Sequence, residues 1–366
     1  MKSFVTIFPN FRVSHRYKDV GMIPDILGKY YDCSLLTYER NVDCGSMDGL
    51  KIKYVKRIIG NEIIDISLNL ISIAKKIDIL NLYHFTRKSL LFIGIYKLIN
   101  WNGQVFLKLD ANIENLRKIR NMSKFDKFIL KRCNIISVET KYIYNELKRD
   151  LPSLKIRYIP NGTQISKKSF DKNNKKNIIC TVGRLGIYEK GTEILLNAFI
   201  KVHKKIDNWE LHLVGPMTKE FRQYIEKKFF EQPYLVDKIK IYGEVNDRNE
   251  LFDIYNKSKI FCLPSRSESF GIAAVEAMSM GCYVIMSNII SAEDITLNGT
   301  IGSIFDIDDV TALAELMTNV CSKDEKFFNY MSEKIFDTFK NNFNYSKICR
   351  NINEYLEGEN SEEDYK

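Results

Sequence analysis

Two carboxylates eight positions apart, Glu268 and Glu276, bracket the point where a strand-like run, IFCLP (260–264), gives way to the helical pattern IAAVEAMSM (272–280). Gly271 stands at the junction, where a residue without a side chain lets the backbone come close to a ligand. The first amides of the helix, from Ile272 on, have no partner within it and can donate to an anion, most naturally a diphosphate. Glu276, about one turn into the helix, is placed to accept from paired ribose hydroxyls, and Glu268 in the loop to reach a sugar. A second junction carries the opposite charge: TVGRLGIYEKG (181–191) follows NIIC and sets Arg184 and Lys190 on one loop. Cations converging there stabilise negative charge that develops on a leaving phosphate. Taken singly, each of these side chains reads equally well as a surface charge at an ordinary turn. The pairing of the two junctions is what points to a phosphate-bearing ligand.

A third acidic motif, Asp306-Ile307-Asp308-Asp309, has the D-x-D spacing that can hold a divalent cation. It directly precedes the helical run VTALAELM, and aspartates favour a helix start. The expectation is a cap, with no metal required.

Repeated strand-and-helix units must position these residues. In the first half, FVTIF (4–8), ILNLYHF (79–85), VFLKLD (105–110), IISVET (135–140) and IRYIP (156–160) read as strands. Helical periodicity lies between them at 66–77, 88–99 and 141–151. The polar, non-periodic stretch 166–176 reads as a linker, after which the alternation restarts with NIICTVG, WELHLVG, IKIYGEV, IFCLP and YVIMSN. Such alternation implies α/β domains with parallel sheets covered on both faces. Their ligands bind outside the carboxyl ends of the strands. Two doubly wound domains facing one another would place the site in the cleft between them. The expected division is 1–165, a linker at 166–176, 177–340, and 341–366 as a terminal helix, packing back on the first domain, with a polar tail that frays.

With 366 residues the chain is too long for one ordinary core, and 45% apolar with 28% charged residues excludes a disordered protein. The eight cysteines are scattered, with no C-x-x-C pair, which suits buried free thiols in a reducing cytoplasm. No signal peptide is legible, and the longest apolar stretch, SLLFIGIY (89–96), stops at Lys97, so no membrane span is expected. Charge is uneven: residues 1–165 hold 28 Lys and Arg against 15 Asp and Glu, the remainder 27 against 31. The densest basic run, 117–132, interleaves Lys and Arg with Leu, Ile, Met and Phe. It reads either as a solvated helical face or as a basic amphipathic surface on an anionic bilayer. There is no aromatic-studded basic strand or recognition helix, so nucleic acid is not an expected partner.

VGRLGIYEKGTEILLNAF followed by LPSRSESFGIAAVEAMSMGCYVI resembles glycosyltransferase family 4, whose members share a G-R-x…K-G loop and an E-x7-E motif. The likeness is strong over 156–290 and weak before it. It implies the GT-B architecture, two Rossmann-like domains across a cleft, and metal-independent transfer of a sugar with retention of configuration. The donor would be a UDP- or GDP-linked sugar, with no further cofactor. By this resemblance Arg184 and Lys190 contact the diphosphate, and Gly183, Phe270, Gly271 and Ile272 line the donor. Glu276 holds the ribose, Glu268 the sugar, and the nucleobase packs near Gly243–Val245. In the first half only Gly21 stands where members carry a glycine pair in the first strand-to-helix loop. His84 matches a histidine near the donor sugar. Lys108 and Asp110, at the next strand end, read as acceptor contacts, although a helix cap explains Asp110 as well. The acceptor would be a glycan or lipid-linked, in bacterial surface polysaccharide synthesis on the cytoplasmic face of the membrane. A catalytically silent partner of the same fold, or a nucleotide-sugar epimerase, is the alternative.

Overall fold

The computed structural model describes residues 1–39, 47–165 and 170–358. The chain divides into two compact units, Met1–Asn161 with Tyr345–Lys366, and Gly162–Asn344. Unit 1 runs β1 (Ser3–Ile7), α1 (Asp19–Leu27), β2 (Asp32–Thr37), β3 (Leu50–Tyr54), α2 (Glu62–Ile73), β4 (Ile79–Tyr83), α3 (Arg87–Ile99), β5 (Gln104–Lys108), α4 (Ile113–Arg120), α5 (Lys124–Leu130), β6 (Ile135–Val138), α6 (Lys141–Asp150) and β7 (Ile156–Tyr158). Unit 2 runs β8 (Lys176–Val182), α7 (Thr192–Val202), β9 (Glu210–Val214), α8 (Lys219–Glu231), β10 (Ile239–Gly243), α9 (Arg248–Lys257), β11 (Ser258–Leu263), α10 (Ile272–Met278), β12 (Tyr283–Ser287), α11 (Ala292–Thr296), β13 (Gly302–Phe305), α12 (Val310–Cys321) and α13 (Glu325–Asn342). The last helix, α14 (Tyr345–Glu357), belongs to unit 1.

The sheet orders are β3-β2-β1-β4-β5-β6-β7 and β10-β9-β8-β11-β12-β13, with every pair parallel. Central strands such as ILNLY, IISV and YVIMS are buried along their length, as strands covered by helices on both faces must be. Helix starts follow local chemistry: Asn61, Thr86, Asn112, Thr140 and Asp247 each cap the helix that follows through a side-chain oxygen. In unit 1, α1 and α14 pack together over Phe4, Leu35, Ile79, Tyr83 and Phe106.

Three expectations change. Residues 170–176 are not an open linker: Phe170 packs on Phe336, and the half-buried Lys175 donates its ammonium to the Tyr255 and Ser258 carbonyls at 3.1 and 2.7 Å. A polar stretch can be well seated when its side chains satisfy otherwise unpaired backbone oxygens. Residues 166–169 lie outside the described residues, as do Cys44 and nearly all of the expected tail. The basic run 117–132 is not one helix, because Ser123 and Asp126 form a capping box that starts α5 anew after α4. β3, at the sheet edge, and its neighbour β2 lay outside the runs singled out from pattern, since LKIKY and DCSLLT mix polar and apolar residues. The seven described cysteines are free and buried. Among the described residues no helix is long and apolar enough to cross a membrane.

Candidate active site

The two motif loops of unit 2 leave neighbouring strands of one sheet. β8 leads into 183–191 and β11 into 264–271, and the two strands pair directly. Arg266 stitches the loops together. Its backbone amide donates to the Glu189 carbonyl at 2.8 Å and its guanidinium to the Tyr188 carbonyl at 2.6 Å. That guanidinium also pairs with Glu193 at 2.6 Å and Asp308 at 2.7 Å, and lies 4.3 Å from the Tyr188 ring centroid. Gly191 makes this closeness possible: its φ is +55°, and a Cβ there would sit 2.2 Å from the Pro264 carbonyl oxygen.

The stitching brings Lys190 and Glu268 into an ion pair, both side chains mostly shielded, and Ser265 Oγ donates to the same carboxylate at 2.8 Å. The aliphatic part of Lys190 lies over Gly183, 4.0 Å from where a Cβ would be. Arg184 is exposed and makes no hydrogen bond or ion pair among the described residues. Gly271 adopts φ +95° and, having no side chain, caps nothing, so among the described residues no side-chain hydrogen bond is made to the amides that begin at Ile272. Phe270 differs from expectation: its ring is fully buried against Phe343, and its carbonyl accepts from Ser291 Oγ. Val245 is half-buried on the unit 2 core, just beyond Gly243, whose φ is +72°.

Glu276 is not the open carboxylate that the motif suggests. One oxygen pairs with Arg248 at 2.7 Å and the other accepts from the Tyr255 hydroxyl at 3.2 Å. Burial and the adjacent carboxylate raise the Tyr255 pKa well above that of an ordinary phenol. Arg248 and Arg266 were missed from sequence; each acts on a residue far along the chain, and spacing carries no signal for that. The D-x-D motif is engaged structurally, since Asp309 caps α12 by accepting from the Ala312 amide at 2.8 Å while Asp308 holds Arg266.

In unit 1 the expected residues gather at the carboxyl ends of β4 and β5, with different roles. His84 is exposed at φ +63°, held by its amide to the Lys108 carbonyl at 2.8 Å. Lys108 cannot touch a ligand from solvent. Fully buried, it donates to Glu139 at 2.6 Å and lies 3.9 Å from Asp19. Glu139, just beyond β6, also accepts from the Asp110 and Ala111 amides at 3.1 and 3.0 Å. It therefore clamps the backbone where Asp110 adopts φ +44°. Burial pushes the Glu139 carboxyl up to about 7, and the flanking carboxylates keep Lys108 protonated despite its own burial. Asp110 does not cap α4, which Asn112 does. Gly21 lies inside α1, where a Cβ would meet the His15 oxygen at 2.6 Å. Its absent side chain makes room for the preceding turn.

Residues 163–336 match the family model of glycosyl transferases group 1. The capsular polysaccharide biosynthesis glycosyltransferase CapM of Staphylococcus aureus is 28% identical over 169 residues, 42% of each chain. The chain spans less than half the length of the curated relatives it matches. Sucrose-phosphate synthase from Thermosynechococcus elongatus has the same fold, with TM-score 0.76 and 17% identity over 98% of this chain and 99% of that one. HepE of Anabaena, in complex with UDP and glucose, matches with TM-score 0.70 and 15% identity over 98% and 100% of the two chains. Both units are thus Rossmann-like domains of the GT-B fold.

Proposed function

We propose that the protein is a retaining glycosyltransferase that moves a sugar from a UDP- or GDP-linked donor to a glycan or lipid-linked acceptor of a bacterial surface polysaccharide. The observation that carries this reading is the stitched pair of loops. Arg266 holds an unpaired Arg184 and the Lys190–Glu268 pair beside the uncapped start of α10, at the carboxyl ends of β8 and β11. Arg184 and Lys190 would bind the diphosphate and stabilise the charge it gains as the sugar–oxygen bond breaks. Glu268, held by Ser265, would bind the sugar, and Glu276 the ribose, sharing it with Arg248.

In this mechanism no protein nucleophile is used. The acceptor hydroxyl attacks on the face from which the diphosphate departs, and a phosphate oxygen takes its proton. The acceptor is assigned to unit 1, where a cavity of about 570 Å³ is edged by Phe85, Arg87, Arg117 and Met122, and where His84, the residue before Phe85, is exposed. Two cations supply the charge that a metal would otherwise supply, so the reading needs none. CapM's printed role in capsular polysaccharide supports the acceptor class.

The test is a thermal-shift screen of UDP, GDP, ADP and their sugar conjugates, with and without EDTA. One base should raise the melting temperature by linkage, equally in both conditions, with about 2.7 kcal/mol of stabilisation at a hundred-fold excess over Kd. A shift from none of them refutes the donor site; a shift lost in EDTA refutes the metal-independent mechanism.

A further inference from the structure

One face of unit 1 exposes apolar side chains on a basic background. The crossovers from β3 to β4, β4 to β5 and β5 to β6 all run the same way across the sheet, so right-handed connections put α2, α3 and α5 on one face, opposite α1. α2 packs beside α3, and α3 beside α5. Along α2, Ile64, Leu68 and Ile71 form an exposed stripe at helical spacing. At the end of α3, Leu98 is 87% exposed and Trp101 63%, and on α5 Phe125 is 69% and Phe128 52% exposed. The Arg132 guanidinium lies 4.1 Å from the Trp101 ring centroid and 4.7 Å from that of Phe128, which joins these two elements into one surface.

The charges around these side chains are predominantly positive. Residues 62–76, 87–101 and 124–132 hold nine Lys and Arg against three acids. Each acid is already engaged: Glu62 by Lys88, Asp126 by Arg87, and the buried Asp65 by the amides of residues 58–60. Lys124 and Lys131 remain exposed among the aromatics.

We propose that this face docks on an anionic phospholipid bilayer, with Leu98, Trp101, Phe125 and Phe128 entering the headgroup region and the surrounding Lys and Arg meeting lipid phosphates. The Trp101 indole, an apolar ring with a polar edge, favours that depth, and each cation near an anionic surface adds to the attraction. Charge complementarity selects this occupant over a second copy of the chain, because the same face on two copies would set like charges together. The proposal does not rest on the sugar-transfer reading.

The sequence provides its own reporter. There are two tryptophans, and Trp209 is buried in the core of unit 2, so Trp101 alone should respond to lipid. With the full chain, vesicles of phosphatidylcholine and phosphatidylglycerol should shift Trp101 emission to the blue and protect it from iodide, whereas pure phosphatidylcholine should do neither. Lys124→Glu/Lys127→Glu/Lys131→Glu should weaken co-sedimentation with the anionic vesicles at least about ten-fold. Leu98→Ser/Phe125→Ser/Phe128→Ser should do the same, with melting temperatures unchanged because the replaced side chains are mostly solvent-facing. Trp101→Phe should abolish the spectral shift and keep the binding.

No binding to anionic vesicles overturns the proposal, as does equal binding to neutral ones. Binding with Trp101 emission unchanged overturns the assigned face. A concentration-dependent dimer abolished by the apolar substitutions would give the face to a second copy and overturn the bilayer.

Discussion

Replacing Lys108 by methionine tests whether the buried charge cluster of unit 1 works as a clamp. The ammonium is fully buried, 2.6 Å from an equally buried Glu139 and 3.9 Å from Asp19. Methionine keeps much of the volume and removes the charge, leaving Glu139 with two backbone amides. An unpaired carboxylate there would escape by taking a proton. With the wild-type Glu139 carboxyl pushed up to about 7, forcing it to hold a proton at pH 8 costs about 1.4 kcal/mol, at 1.36 kcal/mol per pH unit. Proton uptake thus keeps the loss below the about 3–5 kcal/mol of a buried pair broken with its charge retained.

The sign follows from the same argument. The penalty is the cost of holding a proton where the wild-type carboxylate would lose it, so it falls as pH falls through 7 and is nearly gone at pH 5.5. Hydrogen exchange of the β5 amides, expressed as protection factors, is the local readout. Protection at pH 8 should drop by about ten-fold and recover most of that at pH 5.5. Lys108→Met/Glu139→Leu should be far closer to wild type than the single variant, because no charge is left uncompensated. A single variant with near-normal protection at pH 8, or a defect that ignores pH, would refute the reasoning.

Gly191→Ala should destabilise unit 2 by at least about 2 kcal/mol, from a left-handed backbone and a clash with the Pro264 oxygen, visible as an earlier urea midpoint. Asp309→Ala should cost about 1 kcal/mol as a lost cap and leave transfer rates unchanged; lost activity would mean that the D-x-D motif is chemical after all. Glu276→Ala should weaken nucleotide binding about ten-fold or more in calorimetry, from lost charge-assisted hydrogen bonds. Lys190→Ala should mainly slow transfer, by about a hundred-fold or more. Near-normal behaviour of both would sink the site assignment.

The proposed donor side was legible because its geometry is local. A strand end, a glycine at positive φ and a helix start all lie within a dozen residues. The alternation of runs likewise announced parallel sheets, since buried strands need nearly continuous apolar sequence. Positions in the amino-terminal half fared differently. Gly21 and Lys108 look the same in sequence whether they face a ligand or a neighbour, and both turn out to be packed inside.

What the sequence determined by itself is the type and order of elements, the parallel α/β class, and the cation and carboxylate pairs on two strand-to-helix loops. Tertiary structure alone decided that Arg266 ties those loops, that Arg248 engages Glu276 and that Glu139 buries Lys108. Each of those depends on groups dozens of positions apart. Short-range periodicity and capping chemistry record only the few residues on either side, whereas burial and ion pairing depend on which distant segment arrives.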